Sequence, residues 1–185
     1  VLVKAKKGDG MLTVATPERK SYLYPTDIVF KFTWKLFTHS ENKNLQSLLR
    51  VRKLSELEPY QIVSYAGNGW AIENLKNLKV RYAPTLSNAV KILAKQGGRV
   101  DAMIEHDFIL HYNLKRFVES GVLTYEEIQK ITENPHVFEE VKFRFLIRKD
   151  SKFTRIIPAF NQALEEMKLD GTFETIQSKY TESED

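Results

Sequence analysis

Three short stretches of the sequence carry the residue types that could bind or convert a small molecule. Arg19 follows the apolar run in "MLTVATPERKSYLYP", so a guanidinium stands just past the end of a short strand. Trp70 ends the stretch "AGNGW", and Glu105, His106 and Asp107 stand in a row in "VDAMIEHD". A guanidinium pairs with carboxylates, and neighbouring carboxyl and imidazole groups are common general acids and bases. These stretches are the candidate sites.

Each stretch also has a simpler explanation that involves no ligand. Arg19 lies in the charged turn "PERK", and on the residues alone a surface turn is the preferred explanation. The two glycines of "GNG" predict a tight turn between a strand and a helix. His106 followed by Asp107 would simply begin a helix, because an acidic residue stabilises a helix N-terminus.

The sequence gives little support to metal or covalent chemistry. It contains no cysteine, which excludes disulfides and thiolate metal ligands. The histidines show no metal-ligand spacing apart from the pair His106 and His111, and we expect His111 on the outside of its helix. No arrangement of nucleophile, base and acid stands out. We predict no metal, no cofactor and no catalytic residue.

Composition limits the class of protein further. The 185 residues are 42% hydrophobic and 28% charged, which suits a globular chain with a packed core. No run of about 18 apolar residues exists, so we expect no direct membrane insertion. Many lysines alternate with apolar residues, as in "FKFTWKLF", and this pattern is typical of the solvent face of a strand. We therefore expect no nucleic-acid partner.

Strands that alternate with helices are predicted to position these stretches. Residues 30–36 and 141–147 show the period-two pattern of long strands buried on one face. Between them, short strands and helices are predicted in turn near residues 61–65, 70–78, 80–83, 86–94, 99–106 and 110–118. Two helices close the chain. This order predicts an α/β fold with a parallel sheet.

The end of the chain carries the most specific resemblance to a known family. The stretches concerned are "GRVDAMIEH", "KFRFLIRKDS" and above all "IIPAFNQALEEMKLDGTFETIQSKY". They resemble the second half of type 2 periplasmic solute-binding proteins of the polar amino acid ABC transporter group, the bacterial extracellular solute-binding family 3. The stretch "GDGMLTVATPERKSYLYPT" resembles the first lobe of that family. The resemblance implies a periplasmic-binding-protein-like fold, in which two crossing hinge strands join two lobes around a ligand.

The resemblance also implies how the chain divides. Residues 1–36 and 145–185 would form lobe 1, residues 37–144 would form lobe 2, and the two long strands would be the hinge pair. Proteins of this family open lobe 1 with a strand, a helix and a second strand before the helix that "VLVKAKKGDG" would finish. Such a unit needs at least about 30 residues. We therefore expect lobe 1 to be incomplete.

In lobe 1 the resemblance assigns the ligand's carboxylate to Arg19. A planar guanidinium binds a carboxylate bidentately, which lysine cannot do. The hydroxyl residue usual in the family five positions earlier is Val14 here, so Thr16 is the hydroxyl candidate that remains.

In lobe 2 the resemblance places ligand contacts after two strand ends. The first group of candidates is Asn68, Gly69 and Trp70, with Trp70 as a stacking wall. Amino acid binders usually carry an aspartate five residues after the aspartate of "VDA", and His106 stands there instead. Histidine is not a permanent anion. Either Asp107 or Glu105 therefore receives the ligand's ammonium group, or the ligand is not a standard α-amino acid.

The function that the resemblance implies is solute capture without catalysis. The protein would be an extracytoplasmic or periplasmic binding protein with a processed signal peptide. It would deliver a small carboxylated solute, an amino acid or a related compound, to the membrane permease of an ABC transporter. Two alternatives stay open: a sensory ligand-binding domain of a receptor, and a dehydratase-like enzyme on the same fold. The sequence does not name the solute.

Overall fold

The computed structural model describes residues 2–95 and 100–181. Contacts within the chain divide it into two compact units. Unit 1 consists of Val1–Phe32 and Glu140–Glu182, and unit 2 contains Thr33–Glu139. The chain therefore passes from one unit to the other after Phe32 and returns after Glu139.

Strands and helices alternate along most of the described chain, so the predicted α/β class is confirmed. The strands are β1 (Gly10–Val14), β2 (Leu23–His39), β3 (Gln61–Tyr65), β4 (Lys79–Ala83), β5 (Ala102–His106), β6 (Ile131–Glu133) and β7 (Glu139–Arg148). The helices are α1 (Pro17–Tyr22), α2 (Leu45–Leu48), α3 (Gly69–Asn74), α4 (Leu86–Ala94), α5 (Asp107–Glu119), α6 (Tyr125–Gln129), α7 (Ile157–Leu169) and α8 (Thr172–Thr181).

Unit 2 is a mixed sheet covered by helices. β3 pairs in parallel with both β4 and β5, whereas β2 runs antiparallel to β5, and β6 antiparallel to β2. The parallel pairings confirm part of the predicted sheet, and the antiparallel ones were not predicted. One hydrophobic core packs α4 and α5 onto this sheet; its buried residues are Phe37, Val63, Ala83, Ala89, Val90, Leu93, Ala94, Val100, Met103, Leu110, Leu114 and Leu123.

The parallel strands determine where the predicted lobe 2 candidates meet. Since Ile62 pairs with Ala102 and Val63 with Met103, the carboxyl ends of β3 and β5 lie side by side. α3 begins just after β3, and α5 begins directly after β5. In parallel sheets this edge is the usual place for ligands, because loops and helix N-termini gather there.

Unit 1 contains antiparallel strands and the two C-terminal helices. β1 pairs antiparallel with β7, and β7 lies next to β2. The described residues of unit 1 bury few hydrophobic side chains, namely Val3, Leu23, Phe32, Leu146, Ile147 and Leu164. Leu2, Leu12, Tyr24, Phe153, Ile156, Leu169 and Ile176 are large hydrophobic residues that stay exposed in the same unit. The hydrophobic core formed by the described residues of unit 1 is therefore small.

The first described residues have the geometry of a helix end. Lys7 N–H donates to the carbonyl of Leu2 at 2.9 Å, and Lys6 N–H donates to the carbonyl of Val3 at 3.1 Å. Lys6 has a φ of 60°. This pair of bonds around a left-handed residue is the Schellman motif, by which many helices end. The motif supports the interpretation of "VLVKAKKGDG" as the finish of a helix.

The two end strands of the sheet differ in charge. β4, at one end of the strand order, carries Lys79 and Arg81. β1, at the other end, reads "GMLTV" and carries no charged residue, and its central Leu12 is 45% exposed. Within the described ranges, no helix has both the length and the apolar character needed to cross a membrane.

Candidate functional site

Asn68 is fixed by bonds inside unit 2 rather than presented to solvent. It is the N-cap residue of α3, and its Oδ1 accepts a hydrogen bond from Ala71 N–H at 3.0 Å. Its Nδ2 donates to Glu105 Oε2 at 3.3 Å, and the residue is 5% exposed. Asn68 therefore holds the start of α3 against the end of β5.

The glycines on either side of Asn68 have different roles. Gly67 has a φ of 89°, which residues with a side chain rarely adopt, so the turn requires glycine there. Gly69 is not in that region, and a Cβ built on it would meet nothing within 4 Å. The space beside Gly69 is open, and the tight-turn explanation applies to Gly67 alone.

Three aromatic rings stack at the carboxyl ends of β3 and β5. The indoles of Trp34 and Trp70 stack with centroids 4.2 Å apart and planes 13° apart. The ring of His106 covers Trp34 as well, at 4.0 Å and 34°. Trp34 is 5% exposed, and Trp70 Nε1 donates to Glu139 Oε2 at 2.5 Å. Trp70 therefore stacks on Trp34, and its role as a stacking wall for a ligand stays a prediction.

Glu105 is a buried carboxyl group beside this stack. It is 1% exposed, and its Oε1 accepts a hydrogen bond from His106 N–H at 2.9 Å. Burial raises the pKa of Glu105 to about 7, although the bonds from His106 and from the Tyr65 side chain lower it. Burial and the nearby Glu105 likewise raise the pKa of the Tyr65 hydroxyl. A folded chain near pH 7 therefore holds Glu105 partly protonated.

His106 is an uncharged ring at neutral pH. Burial lowers its pKa to about 4, and the carboxylates of Asp107 and Glu139 only partly oppose this. His106 is also the residue just before α5, and Asp107 is the first residue of that helix. The simpler explanation of this pair as a helix start is therefore correct, and it coexists with the stacking role of His106.

Asp107 is bonded to strand β2. Its Oδ1 accepts hydrogen bonds from Thr33 N–H at 3.1 Å and from Phe108 N–H at 2.7 Å, and Thr33 Oγ1 donates to its Oδ2. Lys35 Nζ lies 3.9 Å from the same Oδ2. The described bonds of Asp107 all join parts of the chain, so its carboxylate serves to hold β2 against α5.

Lys35, Glu133 and His111 form a hydrogen-bonded cluster beside Asp107. Lys35 Nζ lies 2.5 Å from Glu133 Oε1, and His111 Nε2 lies 2.9 Å from Glu133 Oε2. The His111 side chain is 45% exposed, as its predicted position outside the helix requires. No group of three His, Cys, Asp or Glu side chains in residues 2–95 and 100–181 is arranged to hold a metal ion.

In unit 1, Arg19 is oriented by the end of its own strand. Its Nη1 donates to Thr13 Oγ1 at 3.0 Å and to the carbonyl of Val14 at 2.8 Å. Thr16 is the N-cap of α1, and its Oγ1 accepts a hydrogen bond from Arg19 N–H at 3.3 Å. The hydroxyl beside Arg19 comes from Thr13, whereas the family resemblance placed that hydroxyl at the next position, where this chain has Val14. Among the described residues, no carboxylate forms an ion pair with Arg19.

The predicted site residues thus fall into two groups. Thr16 and Arg19 lie together in unit 1, and Asn68, Gly69, Trp70, His106 and Asp107 lie at one edge of unit 2. Sequence reasoning missed Trp34, which looked like an ordinary core residue of an alternating strand. Its pairing with His106 across β2 and β5 is what places it in the stack.

Comparisons with known proteins rest on structure. No protein-family model and no curated protein sequence matches the chain. Among solved structures, an ancestral cationic amino acid solute-binding protein, also described as a precursor of cyclohexadienyl dehydratase, matches with a TM-score of 0.70 and 19% identity. The match covers 98% of this chain and 72% of that one.

Two further structures agree. The second substrate-binding domain assigned to an amino acid ABC transporter from Streptococcus pneumoniae matches with a TM-score of 0.68 and 18% identity, over 97% of this chain and 76% of that one. The GluR0 ligand-binding core from Nostoc punctiforme in complex with L-glutamate matches with a TM-score of 0.63 and 17% identity, over 98% and 77%. The chain therefore has the two-lobe α/β fold of the type 2 periplasmic solute-binding proteins, as its resemblance to that family predicted.

Proposed function

We propose that this protein binds a small carboxylated solute and that Arg19 is the residue that anchors the carboxylate. The observation that carries the proposal is a half-buried guanidinium with no ion-pair partner among the described residues. The neighbouring Glu18 is an exposed carboxylate that already pairs with Lys4, so an anionic ligand would offset the cost of the partly buried guanidinium more directly.

The contacts of Arg19 support this role. Both described side-chain bonds use Nη1, and they orient the guanidinium at the end of β1. A guanidinium has five N–H donors in a planar fork. The Nε and Nη2 groups are the pair that suits a bidentate carboxylate.

The contacts of Asp107 argue against a conventional ammonium site there. Its oxygens already accept bonds from Thr33 and Phe108, and Lys35 lies nearby. The proposed solute is therefore a carboxylate whose recognition does not depend on Asp107. An amino acid remains in this class only if its ammonium group is bound by other residues.

The cellular role that fits is capture of a solute outside the cytoplasm for an ABC transporter permease, without catalysis. The solved structures that share the fold support solute binding as the common activity, and one of them is a domain assigned to an ABC transporter. A sensory domain is the alternative that the GluR0 core supports.

A second candidate function, acid-catalysed dehydration, has two observations in its favour. Burial raises the pKa of Glu105 to about 7, which suits a general acid, and a matching structure is described as a precursor of cyclohexadienyl dehydratase. The burial of Glu105 weighs against this function, because Glu105 is 1% exposed and its carboxyl oxygens accept hydrogen bonds from the chain itself. A buried group of this kind does not reach a substrate without rearrangement, so binding is the function we prefer.

A thermal-shift screen tests the proposal directly. The full chain is heated with amino acids, dicarboxylates and hydroxy acids, alongside Arg19→Ala and Arg19→Lys. A ligand at 100 times its Kd adds about 2.7 kcal/mol to the free energy of unfolding. For a chain of this length that corresponds to a rise in Tm of roughly 5 to 10 °C.

The matched control is Lys20→Ala, which removes an exposed positive charge from the neighbouring residue of the same helix. We expect carboxylates of one class to stabilise the wild type and Lys20→Ala, but not Arg19→Ala. Stabilisation that survives in Arg19→Ala would overturn the assignment of Arg19. A hydroxy acid that is converted by the wild type but not by Glu105→Gln would favour the enzyme.

A further inference from the structure

Asn68 and Gly69 form a chemically reactive pair at the start of α3. Asn68 is the only asparagine of the sequence that precedes a glycine. Asparagine is a thermolabile residue, because the next backbone nitrogen can attack the carbonyl carbon of its side chain. Glycine favours this attack, since it has no Cβ that would hinder its own nitrogen. On chemical grounds, Asn68 is therefore the asparagine of this chain that loses its amide group most readily.

The folded structure keeps the two reacting groups apart. Asn68 caps α3 through Oδ1, which accepts a hydrogen bond from Ala71 N–H, and its Nδ2 donates to Glu105 Oε2. At a ψ of 88°, the backbone of Asn68 directs the Gly69 nitrogen away from the Asn68 side chain. The attack requires this nitrogen to turn towards Cγ, so the cap must open first. The capped form is therefore protected.

The surroundings of the turn allow a transient opening. A Cβ built on Gly69 would meet nothing within 4 Å, so open space lies beside this part of the backbone. Gly67 and Gly69 flank Asn68, and glycine gives a segment more conformational freedom than other residues do. α3 is only six residues long, and short helices fray at their ends. The bond from Trp70 Nε1 to Glu139 opposes the opening, so the open form is the minor one.

We propose that Asn68–Gly69 is a self-modification site, at which the chain deamidates when the first turn of α3 opens. The Gly69 nitrogen forms a bond to Asn68 Cγ, the bond from Cγ to Nδ2 breaks, and Nδ2 leaves as ammonia with the proton from Gly69. Water then opens the cyclic imide at either of its two carbonyl carbons. The products are aspartate and isoaspartate, and the fraction of molecules in the open form sets the rate.

Both products change the attachment of α3 to β5. Aspartate places a second carboxyl group where the Asn68 amide donates to Glu105, and neighbouring carboxylates repel each other. In isoaspartate the backbone runs through the former side chain, so the oxygen that capped α3 becomes a backbone carbonyl. The change is irreversible in the isolated protein. The reaction does not involve Arg19, so this inference stands independently of the carboxylate proposal.

Peptide mass spectrometry tests the proposal. The full chain is incubated for days at neutral pH, with and without guanidinium chloride, and then digested with trypsin. Trypsin cuts after Lys53 and Lys76, so residues 54–76 form one peptide. We expect conversion of Asn68 in both samples, roughly 5- to 30-fold more slowly in the folded chain because the cap must open. Aspartate and isoaspartate should both appear, since direct hydrolysis of the amide would give aspartate alone.

The chain offers two matched controls. The exposed Asn74 lies in the same peptide and precedes Leu75, so it should keep its amide. Gly69→Ala adds a Cβ into open space, so this variant should fold, and it should lose most of the conversion of Asn68. If Gly69→Ala deamidates as fast as the wild type, the imide route is refuted. A folded chain in which Asn68 is as inert as Asn74 would overturn the proposal.

The effect of the modification on stability is measured on separated material. Anion exchange isolates the modified chains by their additional negative charge, and the isoaspartate form should have a Tm about 2 to 4 °C below that of the unmodified chain. An unchanged Tm would contradict the capping role of Asn68 on which the proposal depends.

Discussion

Replacing Glu105 by glutamine should change how stability depends on pH. Burial raises the pKa of Glu105 from 4.5 to about 7 in the folded chain. Each pKa unit corresponds to about 1.4 kcal/mol, so the difference amounts to about 3 kcal/mol. Because the folded state binds the proton more tightly, this contribution is fully present below pH 4.5 and is lost as the pH rises through about 7.

The neighbouring His106 works in the opposite direction. Burial lowers its pKa from 6.5 to about 4, so its contribution is present above pH 6.5 and is lost as the pH falls towards 4. His106 is partly accessible to water, and with solvent screening we expect about 1 to 2 kcal/mol from it. In the wild type the two effects oppose each other between pH 4.5 and 6.5.

The assay is urea unfolding from about pH 4.5 to about pH 8, followed by tryptophan fluorescence, since both tryptophans lie in unit 2. The free energy of unfolding of the wild type minus that of Glu105→Gln should fall by about 3 kcal/mol across this range. The exposed Glu73→Gln in α3 is the matched control and should give a constant difference. If the Glu105→Gln difference is also constant, the carboxyl group is not buried as described and the reasoning fails.

Two further substitutions test bonds at the same edge of unit 2. Asp107→Ala removes the acceptor for Thr33 N–H and Phe108 N–H, so it should lower the free energy of unfolding by about 1 to 3 kcal/mol, measured by urea titration. The control is Glu119→Ala, an exposed residue of the same helix, which should change the free energy of unfolding little. Asn68→Ala should cost about 1 to 2 kcal/mol through loss of the α3 cap. Asn68→Asp keeps a capping oxygen but sets a second carboxyl group beside Glu105, so the pH at which the Glu105 contribution is lost should move upwards. An unchanged pH profile in Asn68→Asp would contradict the Asn68 to Glu105 contact.

The fold could be predicted where the sequence pattern is local. The alternation at residues 30–36 and 141–147 is itself the signature of a strand with one buried face, and both segments are strands in the structure. β2 nevertheless begins at Leu23, well before the predicted start. Its first part includes Pro25, Thr26 and Asp27 and has no hydrophobic period, so its strand structure depends on pairing that the local pattern does not contain.

The site was harder to predict, because its contacts join distant segments. Trp70 and His106 were candidates by position, but their stacking partner Trp34 depends on the register of β2 against β5. A register of this kind follows from the whole sheet and not from neighbouring residues. Asp107 raises the same difficulty, since its bonds to Thr33 cross from α5 to β2. Thr13, which accepts a hydrogen bond from Arg19, is close in sequence, but the family resemblance placed the hydroxyl at position 14, which is Val14 in this chain.

The uncharged edge strand β1 has a consequence for how the chain behaves in concentrated solution. An open strand edge offers unpaired N–H and C=O groups to any other strand, and charged side chains such as those of β4 normally discourage that pairing. Thr13 and Val14 in "GMLTV" have high β-propensity, and none of the five residues carries a charge that would repel a second copy. Self-association through β1 should therefore compete with correct folding at high protein concentration, and a lysine at Leu12 should delay the onset of turbidity on heating.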